Sequence, residues 1–266
     1  MIGVALIAAA ALAGPACTPL PGFDAVLDRP GVTFVVFGEA HGTVEAPGVF
    51  LDAVCAAAAR GPVTAALEFT PADQKALDGY MTSDGGPDAR AALLEAPAWA
   101  DRGGRQSQAL AGLIEDLRRL KASGAAVELQ AFDAAPISEG TNAAREEGMA
   151  RALIDAASRR PGPVLVLTGS GHADRTGWNG PPSFRSAAQG LPASQTLSLF
   201  FARPGGEYWT CRAPDGGGET ECRAWPMPAR EPIGSRGVRL TSEARTGFDG
   251  IFSAGRPYTA SPPARP

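Results

Sequence analysis

The chain holds only two histidines, and both come after the same kind of segment. His41 comes after Thr33-Phe34-Val35-Val36-Phe37, with Gly38-Glu39-Ala40 between and Gly42 behind it. His172 comes after Val164-Leu165-Val166-Leu167-Thr168, with Gly169-Ser170-Gly171 between. An unbroken apolar run that stops at glycines reads as a buried strand delivering a polar group at its end. An imidazole beside a carboxylate can take up and release a proton near neutral pH. A third run, Val63–Phe69, carries Glu68 near its end, where a charge is costly unless it is paired or used. A fourth, Val127–Phe132, runs into Asp133.

Two imidazoles and the acids Glu39 and Glu68 support three chemistries. All four side chains could ligate a divalent metal that activates water. Without a metal, His41 could act as general base on water, with a glutamate orienting it and His172 serving the leaving group or oxyanion. The third is a cleft that binds haem, with a histidine, His41 or His172, or a tyrosine able to reach the iron. Glu45, Arg105 and Asp133 are further candidates for the pocket wall. The spacing is not His-Glu-x-x-His on a helix, which disfavours a zincin-type protease. Gly169-Ser170-Gly171 is not Gly-x-Ser-x-Gly, which disfavours a serine hydrolase.

These groups need elements to bring them together. Helical spacing is expected over Pro47–Arg60, Ala89–Glu95, Gln106–Lys121 and Asn142–Arg159, alternating with the four runs. Leu110, Leu113, Ile114, Leu117 and Leu120 form the clearest amphipathic stripe. Thr70-Pro71-Ala72-Asp73 is a helix start. Leu197–Ala202 and Phe248–Phe252 are two more strands, and Tyr208–Cys211 with Cys222–Trp225 a hairpin. Alternating strands and helices predict an α/β fold: a mostly parallel sheet covered by helices on both faces, with a loop-rich C-terminal hairpin region after it. In such sheets ligands bind beyond the carboxyl ends of the strands. Parallel strands would put Glu39, His41, Glu68, Asp133 and His172 on one rim.

The chain has 266 residues, a net charge of -4 and no basic stripe, so nucleic acid is not an expected partner. A small-molecule or peptide substrate, or haem, is. Residues 1–16 read as a signal peptide, with an apolar stretch too short to span a bilayer, so the mature chain is expected to lack a transmembrane segment and to be periplasmic or secreted. Residues 17–255 form the expected single domain and 256–266 a flexible tail. Four cysteines fit an oxidising compartment. Cys211 and Cys222 flank a glycine-rich turn and are expected to pair, leaving Cys17 with Cys55.

The elements around Gly38-Glu39-Ala40-His41-Gly42-Thr43-Val44-Glu45, Glu68 and Thr168-Gly169-Ser170-Gly171-His172-Ala173 resemble the superfamily that joins erythromycin-esterase-like, ChaN-like haem-uptake and TIKI/TraB proteins. Trp99, Asp101, Arg105, Ser107, Asp133, Arg145, Met149 and Phe248–Phe252 look like further positions of an exported ChaN/TIKI-like branch. The resemblance implies an α/β fold with both histidines and the acids in one cleft. It also implies an ester or amide hydrolase, with or without a divalent metal, or alternatively a haem-binding protein without turnover. One residue separates Glu39 from His41, whereas erythromycin-esterase-like members carry two.

Overall fold

The computed structural model describes residues 14–134, 141–177, 183–215, 217–231, 234–241 and 247–265. Most of the expected export segment therefore lies outside the described residues, as does Trp178. The central sheet has seven strands: β1 (Phe34–Glu39), β2 (Val63–Leu67), β3 (Val127–Ala131), β4 (Val164–Gly169), β5 (Thr196–Phe201), β8 (Gly237–Leu240) and β9 (Gly250–Ser253). Their order is β3-β2-β4-β1-β5-β9-β8. Every pairing is parallel except the edge pair β8–β9. A separate antiparallel hairpin joins β6 (Gly206–Arg212) to β7 (Glu221–Met227).

Side chains alternate across a strand, and here the alternation sorts the core into two layers. Val35 and Phe37, Ala65 and Leu67, and Leu165 and Leu167 pack in one apolar cluster. Phe34, Val36, Ala66, Val164 and Val166 pack in the other. Helices α1 (Asp24–Leu27), α2 (Glu45–Ala58), α3 (Gln74–Met81), α4 (Pro87–Leu94) and α5 (Gln108–Ala122) cover the first face. Helices α6 (Asn142–Arg159), α7 (Ser170–Ala173) and α8 (Ala187–Gly190) cover the second. A strand buried on both sides has no polar face to show, which is why β1 and β4 read as continuous apolar runs.

The register sets the site. Glu39 is level with Gly169, and Leu67 is level with both Leu167 and Ala131. Strands β1, β2, β3 and β4 therefore end at one height, and the residues just past their ends meet at one rim.

Two features depart from the sequence reading. Strand β8 was not expected, because Gly237-Val238-Arg239-Leu240 has two apolar residues and no run for a pattern to act on. The expected flexible tail is instead tied down. Its carbonyls and a hydroxyl cap the first turns of two helices: Thr259 O accepts from Val44 N, Pro262 O from Gln108 N and Ser261 Oγ from Ala109 N, at 2.8–2.9 Å. Proline-rich composition suggested disorder, but a proline carbonyl accepts as well as any other.

Both expected disulfides form, Cys17–Cys55 and Cys211–Cys222. They fit an oxidising compartment. Among the described residues no helix is long and apolar enough to cross a membrane.

Candidate functional site

Glu68 is the hub. It comes directly after the last residue of β2 and is buried. Its Oε2 accepts from Thr168 Oγ1 at 2.8 Å and from the Gly169 amide at 3.0 Å, both on the neighbouring β4. Its Oε1 accepts from Arg145 Nη2 at 2.9 Å. The two imidazoles stand on either side of it. His41 Nε2 is 3.4 Å from Oε2, and His172 Nε2 is 3.5 Å from Oε1.

Each imidazole is backed by a carboxylate of its own. His41 Nδ1 meets Glu39 Oε1 at 3.0 Å, a partner two residues back at the end of β1. His172 Nδ1 meets Glu146 Oε1 at 2.6 Å, a partner on α6. Glu146 also accepts from the Ala187 amide at 2.6 Å, which fixes its second oxygen. The result is a line of five groups: Glu39, His41, Glu68, His172, Glu146. Gly169 makes room for it, since a Cβ there would lie 3.0 Å from His41 Nε2 and 3.5 Å from His172 Cδ2.

Two arginines flank the line. Arg145 holds Asp133 with two bonds of 2.8 Å, and its Nη1 lies 3.3 Å from His172 Nε2. A guanidinium only donates, so this contact selects the His172 tautomer with its proton on Nδ1, toward Glu146. Arg105 is looser, 3.5 Å from Glu68 and 3.7 Å from Asp133. Its buried Nε has no hydrogen-bond partner.

The electrostatics follow from this crowding. Burial alone would lower the His41 pKa, but the charge of Glu68 and the hydrogen bonds to Glu39 and Glu68 outweigh it and raise it to about 10. Burial would raise Glu68, but the charge of His172, when that ring is protonated, and the charges of His41 and Arg105 hold it well below the carboxylate range. Burial raises Glu39 against the pull of His41, and its second oxygen has no hydrogen-bond partner. Arg145 is desolvated, yet its bonds to Asp133 and the charge of Glu68 hold its pKa above the ordinary value.

The expected residues Glu39, His41, Glu68, His172, Asp133 and Arg105 thus meet in one place. Glu45 does not. It is buried beside the tail, accepting from the Thr259 amide at 2.8 Å and lying 3.3 Å from Arg256. An acid in the first turn of α2 serves the tail rather than the pocket. Glu146 was missed altogether, and Arg145 was named without a role. A signal existed: the buried stripe Met149, Ala150, Leu153 and Ala156 of α6, extended back one turn, lands on Arg145 and Glu146. Charged residues on the buried side of a helix need partners.

A resident divalent metal fits these residues poorly. Glu68 already accepts from three donors, and the Nε2 of His172 faces a guanidinium. Among the described residues no three His, Cys, Asp or Glu side chains are set to share a metal ion. A groove of about 910 Å³ lies by Thr64 and Glu128, at the opposite ends of β2 and β3.

No family model matches the chain, and no curated protein matches it. Solved structures do. The type III effector HopBA1 superposes with a TM-score of 0.50 at 15% identity, covering 89% of this chain and 95% of its own. A protein from Bacillus cereus superposes with a TM-score of 0.56 at 11% identity, covering 88% and 91%. At such identities the likeness is one of fold.

Proposed function

We propose that the protein is a hydrolase of ester or amide bonds, of the ChaN/TIKI-like kind that its Gly-Glu-x-His and Gly-x-x-His elements resemble, working with an imidazole pair rather than a metal. One observation carries the reading: a buried carboxylate, Glu68, stands between two imidazoles that each have a private carboxylate. Such a line holds two proton-handling groups in unlike surroundings, one facing carboxylates on both nitrogens and the other facing a carboxylate and a guanidinium. His41 keeps its proton up to about pH 10 and is the more open ring, 24% exposed against 12% for His172. His172, in its neutral form, has its lone pair on Nε2, toward Arg145.

The roles follow from these states and differ from the sequence expectation, in which His41 was the base. Once its 3.3 Å contact with Arg145 Nη1 opens, His172 Nε2 takes the proton of a water as its oxygen attacks the carbonyl carbon. The carbonyl electrons move onto oxygen, and His41 and Arg105 stabilise that negative charge with N–H donors. As the tetrahedral intermediate collapses, the proton on His172 passes to the leaving oxygen or nitrogen. Glu146 holds the His172 tautomer and Glu39 orients His41. Arg145, clamped by Asp133, fixes Glu68.

The haem reading has no contact in its favour: both nitrogens of each ring are within 3.5 Å of a carboxylate or a guanidinium, so iron would have to displace one. The test is turnover of 4-nitrophenyl esters after dialysis against EDTA. Activity that survives dialysis and is lost in His172→Ala is expected. Activity that vanishes and returns with a divalent ion would overturn the metal-free mechanism, and a Soret shift at micromolar haem would revive the alternative.

A further inference from the structure

The hairpin β6–β7 has two faces with different company. Directly opposed residues share a face, so Tyr208, Arg212, Arg223 and Trp225 lie on one and Trp209, Cys211 and Cys222 on the other. The second face is docked. Trp209 N donates to Gly42 O at 2.9 Å and Trp209 Nε1 to Arg102 O at 3.0 Å. Gly42 has φ +76°, and a Cβ on it would lie 2.1 Å from Trp209 O, so only glycine admits the hairpin here. The loop that carries His41 is thereby pinned to the hairpin one residue past the imidazole.

The first face lines a groove of about 580 Å³. Four arginines, Arg203, Arg212, Arg223 and Arg230, stand on its wall with the acid Asp215, and Arg223 Nε also pairs with Glu221, a half-exposed acid, at 2.8 Å. The Arg212–Asp215 pair is 3.1 Å long, but Asp215 is 90% exposed, and such pairs hold little energy. Trp225 is buried beneath the guanidiniums of Arg223 and Arg212, 3.5 and 4.2 Å from its ring, which holds both in place. Arg212 Nε is buried and has no hydrogen-bond partner, a donor with no acceptor. Ala40, the residue between Glu39 and His41, is part of the same wall.

We propose that this groove is a subsite for an oxyanion, a carboxylate or phosphate, carried by the molecule whose ester or amide bond the cleft cuts. The link to turnover rests on the hydrolase reading above, while the binding does not. Planar forks ordered on an aromatic ring match such an anion with two parallel hydrogen bonds. The groove begins one residue from His41, so the anion would lie beside the reacting group rather than on it. It is a positioning device, separate from Arg105 and Arg145 in the cleft.

Calorimetric titration of the full chain with inorganic phosphate tests the binding. Wild type is expected to bind, Arg212→Gln/Arg223→Gln to bind at least about tenfold more weakly, and His41→Ala to bind as wild type does. Arg223→Gln alone, a substitution at a half-exposed surface side chain, should weaken binding about threefold even if the double variant does not fold. Phosphate binding that is absent in wild type or untouched in these variants overturns the subsite, as does binding that is lost in Arg105→Gln. The link to the substrate is read from two esters. The 4-nitrophenyl monoester of glutarate should exceed 4-nitrophenyl butyrate by about tenfold in kcat/KM, and the double variant should lose that preference. Equal kcat/KM for the two in wild type overturns the link. Phosphate binding with no turnover of either ester would sink the hydrolase reading and leave the anion site standing.

Discussion

The two histidines come after near-copies of one sequence pattern, yet the molecule builds them differently. His41 gets its carboxylate from the end of the strand just before it, two residues back, and stays open to solvent. His172 gets its carboxylate from α6, 26 residues earlier in the chain, and is nearly enclosed. A local pair forms as soon as β1 forms. A distant pair needs β4, α6 and α8 docked together, because the Ala187 amide holds the far oxygen of Glu146. A repeated motif thus fixes where a group emerges from a sheet but not which state it is held in. That is set by what packs against it.

The contrast between the rings is most exposed at its midpoint. Glu68→Gln removes the charge that both rings face, and turnover should fall about 10³-fold, with a stability loss of about 2 kcal/mol, because Arg145 keeps Asp133 but loses its second carboxylate. Ester kinetics and a denaturation curve check the two parts. If both rings kept their function, the central carboxylate would be only a structural acceptor.

The next largest effect separates the rings. His172→Ala should cost about 10³-fold in kcat, and His41→Ala about 10²-fold, since one supplies the base and the other a charge. Equal losses, or the reverse order, would return the base to His41. Smaller again are the backing carboxylates. Glu146→Gln should cost more than Glu39→Gln, about 30-fold against 5-fold, because Glu146 sets a tautomer and Glu39 only a direction.

The smallest effect is on stability against pH. The folded His41 pKa of about 10 lies above its ordinary 6.5, so its contribution is complete below 6.5 and is lost as pH rises toward 10. The quarter of the ring open to solvent reduces its size. Glu68 is held below 4.5, so its contribution is present above 4.5 and is lost in acid. Thermal midpoints should therefore fall on both sides of a plateau between pH 4.5 and 6.5. His41→Ala should flatten the alkaline arm and, because His41 also holds Glu68 down, shrink the acid arm.

Much of this was legible in the residues. The apolar runs ending in Glu39, Glu68, Asp133 and His172 announced strands, and parallel pairing was enough to place their ends on one rim. The layout of α6 was legible too, and its boundaries at Asn142 and Arg159 are those the pattern indicates. Glu146 was not, because one charge among Arg145-Glu146-Glu147 says nothing until the helix is placed on the sheet. Glu45 misled for the converse reason: an acid at a helix start has a local explanation and here also a remote one, in the tail. Strand β8 offered too few apolar residues to carry a pattern.

The sheet order has one more consequence, for how the chain is made. Strands β1 and β2 come early in the chain, yet β4 lies between them and pairs with both. Until residue 169 is available, an emerging polypeptide holds two bare parallel edges that cannot close on each other in the native order. Bare edges are templates for pairing with other chains. A chain cut off before Val164 should therefore self-associate, whereas one that ends after β5 already has five contiguous strands, β3-β2-β4-β1-β5, and can hide those edges.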